Sequence, residues 1–93
     1  VLERSIMNQQ LIECFKALGD PIRFNIYNSL KKQRLCACEF SEVLELNISQ
    51  PTLSFHLRKL KECGLIDETR DGNRKMMSIN EDMLNQMKIY WER

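Results

Sequence analysis

Cys36 and Cys38, with Glu39 beside them, set two thiols one residue apart in the stretch RLCACEF, residues 34–40. Such a pair can serve packing, a redox couple or two teeth of a soft-metal clamp. Thiolates are soft ligands that favour As(III), Sb(III), Cd(II), Pb(II), Cu(I) and Zn(II). In a regular helix, side chains two residues apart point about 200° apart, so both could not grip one ion. In an extended or unwound turn they lie on the same side. The other thiols read as packing: Cys14 sits on an apolar helical stripe and Cys63 beside Gly64, which ends a helix. His56, the single histidine, flanks a core stripe and reads as a packing or hydrogen-bonding residue rather than a ligand.

A second set of chemistry-bearing residues lies between Ser49 and Lys61, where Arg58, Lys59 and Lys61 occur with no acid. Wound as a helix, Leu53, Leu57 and Leu60 fall within about 60° and form a core face. Opposite them lie Pro51, Thr52, Phe55, Arg58 and Lys59, with Gln50 and Ser54 toward the start. Phe55 is informative, because an aromatic at the centre of a basic polar face is unfavourable in water without a partner. A helix that reads the major groove supplies one in thymine methyl groups. Gln50, Thr52 and Ser54 can bond to base edges or phosphates, and Arg58 and Lys59 suit phosphates. Arg70, Arg74 and Lys75 cluster around one hairpin tip, as a wing reaching for backbone or minor groove would carry them.

The elements that must position these residues can be read along the chain. Residues 5–18 form a helix with Met7, Leu11, Cys14 and Leu18 on one stripe. Gly19-Asp20-Pro21 ends it and opens a second helix over 21–31, with Ile22, Ile26 and Leu30 inward. A short third helix over 39–46 turns Phe40, Val43 and Leu44 inward, and a tight turn at Leu46-Asn47-Ile48 leads to Ser49. Ser49 is a good N-cap for the basic helix, Pro51 is tolerated in its first turn, and Gly64 stops it. Asp71-Gly72 between two extended runs predicts a hairpin. A loop of those two residues would set Glu68 opposite Lys75 and Ile66 opposite Met77. A last helix over 80–92 carries Leu84, Met87 and Trp91, with Met83 and Tyr90 beside them.

The order predicts a mainly α fold, a winged helix-turn-helix of five helices plus a β-hairpin wing. Its 93 residues make one domain, 1–93. The stripes on the helices at 5–18 and 80–92, Leu11, Leu18, Leu84, Met87 and Trp91, are too broad to leave in water, so these helices are expected to form a homodimer interface. The start, VLERSIMNQQ, reads as no signal peptide and no run is long enough to span a membrane. A cytoplasmic location with reduced thiols is expected. No nucleophile–base pair, Gly-rich phosphate loop or catalytic metal motif is present, which argues against an enzyme. A net charge of +1 means that DNA binding must be local to one face, and leaves a protein-interaction module as the competing class.

CFKALGDPIRFNIYNSL, LCACEF, SQPTLSFHLRKLKECGLI and RDGNRKMMSI, in this order and spacing, resemble the ArsR/SmtB family of metal-sensing winged-helix repressors. The resemblance covers about residues 6 to 80, and the recognition-helix segment is its most specific part. It implies a homodimeric repressor on an inverted-repeat operator in double-stranded DNA, needing no cofactor to bind and released by an inducer. The DNA-facing set is then Ser49, Gln50, Pro51, Thr52, Ser54, Phe55, Arg58 and Lys59, with Arg70, Arg74 and Lys75 from the wing. LCACEF is similar to the LCVCDL of the family's arsenic and cadmium sensors, so Cys36 and Cys38 map onto thiolate ligands. The implied inducer is As(III) or Sb(III), then Cd(II), Pb(II) or Zn(II).

Three departures bear on this. Many members carry aromatics where Met76-Met77 stand. Arsenic sensors often have a third cysteine where this chain has Ser41, and cadmium sensors add cysteines from an N-terminal extension; here Cys14, Cys63 or a small thiol would have to serve. The family's zinc site on the last helix needs histidines that EDMLNQMKIYWER lacks. A disulfide within Cys-x-Cys would be strained, so a thiol-redox sensor ranks second to an ion sensor, with an effector-independent winged-helix regulator also open.

Overall fold

In the computed structural model, residues 2–44 and 47–92 are described, with side chains from residue 9 onward. Five helices and three strands follow in the order α1 (Leu2–Ala17), α2 (Pro21–Leu30), β1 (Leu35–Cys36), a 3-10 turn (Ala37–Glu39), α3 (Phe40–Val43), α4 (Gln50–Glu62), β2 (Ile66–Asp71), β3 (Arg74–Ile79) and α5 (Glu81–Trp91). The winged helix-turn-helix expected from the sequence is the fold observed.

Local chemistry sets the helix ends. Asp20 Oδ1 accepts from the N–H groups of Ile22 and Arg23 at 2.9 and 3.1 Å, with Pro21 in the first turn. The Ser49 hydroxyl accepts from Thr52 N–H at 3.3 Å and opens α4 as expected. At the other end Gly64, at φ 90°, lets Leu65 N–H reach the Leu60 carbonyl at 3.0 Å while Gly64 N–H reaches that of Lys61 at 3.0 Å. This is a Schellman closure, which needs a left-handed residue where only glycine is relaxed. Asn80 caps α5 by accepting from Met83 N–H at 3.1 Å.

One core cluster joins buried side chains from the helices and the sheet. Cys14, Ile26, Phe40, Leu53, Leu60, Leu65 and Ile66 are its most enclosed side chains. Leu53, Leu57 and Leu60 form the inner face of α4, as the wheel requires. Leu11 and Met87, expected to serve a dimer interface, are buried within the protomer, each 8% exposed. Trp91 is 80% exposed, and Ile12, Phe24, Ile89 and Tyr90 join it at the surface.

Three expectations need correction. The third helix is shorter, four residues behind a 3-10 turn, and Val43 faces solvent while Phe40 is fully buried. Leu46 and the side chain of Met7 lie outside the described residues. The hairpin loop is Gly72-Asn73, not Asp71-Gly72, because Asp71 pairs with Arg74. Gly72, at φ 65°, takes the first loop position, where two-residue hairpins favour glycine. Ile66 therefore faces Ile79 and Glu68 faces Met77, rather than Met77 and Lys75. A slip of two along β3 keeps each side chain on its expected face. The third correction is β1, a two-residue strand too short to show periodicity, which pairs with β3 and places β3 in the middle of the sheet.

Candidate nucleic-acid interface and thiol site

α4 presents its polar face to solvent. Gln50, Pro51, Thr52, Ser54, Phe55, Arg58 and Lys59 are all exposed, and Ser49 leads into them. Phe55 is the centre of this surface: the Arg58 guanidinium lies 5.7 Å and the Lys59 ammonium 5.5 Å from its ring centre. Both distances are within cation–π range, so the aromatic gathers the charges into one patch. Arg58 also faces Glu62 at 3.6 Å, a surface pair of small energetic weight. Ser49 is occupied locally, its hydroxyl 2.9 Å from that of Thr52.

Behind this face, His56 is buried, with Nδ1 3.4 Å from an Arg23 nitrogen and 4.0 Å from Asp20 Oδ1. Arg23 Nε donates to the Ala17 carbonyl at 2.8 Å, so one polar cluster joins the α1–α2 corner to α4. The sequence reading of His56 as a packed, hydrogen-bonding residue is what the structure shows. Asp20 was legible only as part of the break between two helices and Arg23 not at all; their meeting with His56 depends on helix packing. Burial raises the Asp20 pKa, but N–H bonds from Arg23 and Ile22, with the charges of His56 and Arg23, outweigh it and hold the carboxyl below its usual range.

The wing is fastened to α4 by Lys61 and Glu68. Arg70 and Lys75 face each other across the hairpin and make no ion pair among the described residues, leaving both cations available. Arg74, expected at the wing tip with them, instead donates to Glu39 Oε1 at 2.9 Å.

The cysteine pair lies where β1 gives way to the 3-10 turn. Cys36 is extended, at φ −71° and ψ 146°, and the turn that follows brings Cys38 back over it. The sulfurs are 2.9 Å apart, on the same side, as an unwound backbone requires. Cys36 is buried and Cys38 exposed. The Cys38 thiol, donating to the Cys36 sulfur, lowers the Cys36 pKa, with the N–H of Cys38 and the nearby Arg74 guanidinium adding to it against burial. The Cys38 thiol is pushed up by that same contact. Glu39 was missed as a functional residue: its Oε1 accepts from Cys36 N–H at 2.8 Å as well as from Arg74. The signal was present, since a carboxylate three residues after an extended helix-opening residue is a capping pattern. Two thiol sulfurs on one side of a turn fit a soft thiophilic ion by donor chemistry. Cys14 does not join them: it is fully buried and its thiol donates to the Cys63 carbonyl at 3.2 Å. Among the described residues no group of three or more His, Cys, Asp or Glu is placed to hold a metal.

The profile described as "Bacterial regulatory protein, arsR family" matches residues 20–68, which span α2, the thiol segment, α4 and the start of the wing. The chain belongs to the ArsR family. Within it, the chain is 35% identical over 77 residues to the arsenical resistance operon repressor of Staphylococcus xylosus, covering 83% of this chain and 72% of that protein. It is 38% identical over 77 residues to the transcriptional repressor SdpR of Bacillus subtilis, covering 83% and 82%. Among solved structures, an ArsR-like transcriptional regulator from Rhodococcus superposes with a TM-score of 0.80 at 25% identity, over 94% of this chain and 80% of that one. ArsR-family relatives are DNA-binding transcriptional repressors, not enzymes. No helix among the described residues is long and apolar enough to cross a membrane.

Proposed function

We propose that this ArsR-family chain is a homodimeric repressor that lays α4 in the major groove of an inverted-repeat operator and releases it when a soft, thiophilic ion binds Cys36 and Cys38. Gln50, Thr52, Ser54 and Phe55 read base edges and thymine methyls, Arg58 and Lys59 hold phosphates, and Arg70 and Lys75 extend the contact from the wing. As(III) or Sb(III) is the leading inducer class, with Cd(II) or Pb(II) next and Zn(II) after them. The observation that carries the reading is the pairing of the Cys36 and Cys38 sulfurs at 2.9 Å in the turn immediately ahead of α3 and α4. The arsenical-resistance name of one relative supports the metalloid.

The two cysteines hold the ion, and its charge and coordination demands fall on the turn that feeds the helix-turn-helix. Reduced protein bound to duplex DNA should dissociate on addition of As(III) or Cd(II). Cys36→Ser and Cys38→Ser should each keep DNA binding and lose the response. A double Cys36/Cys38 variant that still dissociates with either ion would sink the reading.

A further inference from the structure

Among the described residues, Arg74 is the one of the three cations expected at the wing tip that pairs with an acid, and the acid belongs to the thiol segment. Arg74 Nη2 donates to Glu39 Oε1 at 2.9 Å, and that same oxygen accepts the N–H of Cys36 at 2.8 Å. The strand register makes this contact a consequence of the fold rather than of one rotamer. Cys36 lies opposite Met76, and Arg74 is two residues along β3 from Met76, so Arg74 and Cys36 share one face of the sheet. The register brings the guanidinium to the side of the sheet that carries Cys36, where it holds Glu39. Arg74 is also the first residue of β3 after the loop, paired with Asp71 and adjacent to the Arg70–Lys75 pair. It therefore touches the thiol segment with its side chain and sets the wing tip with its backbone.

We propose that Arg74 and Glu39 form the link through which occupation of Cys36 and Cys38 reaches the wing, with Arg74 a positioning residue and not a phosphate contact. This rests on the reading of the two cysteines as the inducer site. An allosteric link requires a contact whose free energy differs between the two states. Arg74 meets that requirement. In the free protein its guanidinium is held by the Glu39 carboxylate on the sheet face that also carries Cys36. Ion binding by both cysteines displaces the thiol proton that Cys38 donates to the Cys36 sulfur and moves both sulfurs to suit the ion, so the group that shares the sheet face with Arg74 changes its charge distribution and its position. Glu39 holds Arg74, and Glu39 is itself bonded to the backbone N–H of Cys36, three residues before it. Rearrangement of the turn is thus carried to the start of β3 and to Arg70 and Lys75.

The test uses the full reduced chain, a duplex selected from random sequence by the parent protein, and As(III) and Cd(II) as probes. Ion uptake is followed by sulfur-to-cadmium absorbance and by mass for arsenic; DNA affinity is followed by anisotropy with and without ion. The parent should bind DNA at least about tenfold more weakly when loaded, within the usual range of allosteric coupling. Arg74→Ala and Glu39→Gln should take up the same amount of ion yet lose less than about threefold in DNA affinity on loading. Arg74→Lys, which restores a charge on Glu39 without the planar fork, should recover part of the response. It also carries the test if Arg74→Ala fails to fold. An Arg74→Ala protein that responds as fully as the parent would overturn the link. So would one whose ion-free binding weakens with a flatter salt dependence while the loaded-to-free ratio is kept, the mark of a phosphate contact. A parent that takes up no ion through Cys36 and Cys38 overturns the inducer site and the link together, and that result is read from the parent alone.

Discussion

Lys61 Nζ donates to Glu68 Oε1 at 2.9 Å, fastening the last turn of α4 to the first strand of the wing. Both side chains are about one-third exposed, so the pair is not a large source of stability; it ties α4 to the wing. The hydrogen bond from Lys61 is the main reason that the Glu68 pKa is lowered, with burial opposing and the charges of Lys61, Lys75 and Arg70 assisting. Because the folded-state value is depressed, the stabilisation is present above the unfolded carboxyl pKa and is lost as pH falls through the folded one. Glu68→Gln should cost less than about 1 kcal/mol in a thermal or urea melt near pH 7. The difference from the parent should vanish in acid, and melts that differ equally at pH 7 and pH 3 would contradict this.

Phe55 and Lys59 should separate specificity from general affinity. Phe55→Ala removes the aromatic on which Arg58 and Lys59 gather, and should lose about 1–3 kcal/mol of discrimination if it touches thymine methyls. Lys59→Ala should weaken binding to all duplexes alike and flatten the salt dependence. Competition binding with selected and scrambled duplexes at several salt concentrations measures both. If neither variant differs from the parent, α4 is not the reading helix.

The second thiol pair should react very unevenly. Cys63, half-buried at the edge of an open cleft of about 600 Å³, has its pKa lowered to about 7. The interaction of its thiol with the neighbouring Cys14 thiol is the chief cause, with the N–H groups of Leu65 and Cys63 and the Arg23 charge also lowering it against burial. Cys14 is driven strongly upward by that same contact and by burial. Iodoacetamide should therefore label Cys63 with a pH midpoint near 7. Cys14 should stay unlabelled until the chain unfolds, and Cys14→Ala should move the Cys63 midpoint up. Site-resolved mass spectrometry reads this directly, and a Cys63 midpoint near that of a free thiol would refute it.

How far the sequence led depended on the range of each interaction. The faces of α4 were legible because Leu53, Leu57 and Leu60 repeat at helical spacing, and the cap at Ser49 because capping acts within three residues. β1 was not, since two residues carry no period and only the register with β3 makes Leu35 and Cys36 a strand. The hairpin loop was misplaced by one residue because Asp71-Gly72 and Gly72-Asn73 are both good turn pairs locally; ladder pairing decides between them. Arg74 looked like its neighbours Arg70 and Lys75, and what distinguishes it is Glu39, thirty-five residues earlier in the chain. Leu11 and Met87 lie on apolar stripes, but a stripe does not say whether its own protomer or a second copy covers it.

The outer helices should be closed by a second copy. Ile89, Tyr90 and Trp91 on α5 are 61, 54 and 80% exposed, and Ile12 on α1 and Phe24 on α2 add to the apolar surface. Phe15 and Tyr90 stack across α1 and α5 with ring centres 6.0 Å apart, keeping this surface in one piece. Between α1, α2 and α5 a groove of about 310 Å³ runs past Leu18, Leu84 and Trp91. The nearby Tyr27 hydroxyl is buried without a hydrogen-bond partner among the described residues. Exposed aromatics beside an apolar groove are the usual composition of an interface centre, where truncating a tryptophan costs about 2 kcal/mol or more. Sedimentation equilibrium should give twice the chain mass at micromolar concentration. Trp91→Ser combined with Ile89→Ser should shift the protein to monomer with little loss of helix, since neither side chain belongs to the protomer core. DNA affinity should fall with it, because two half-sites joined in one dimer bind with an effective concentration that separate monomers lack. A parent that stays monomeric at these concentrations, or a double variant that stays dimeric, would place the interface elsewhere.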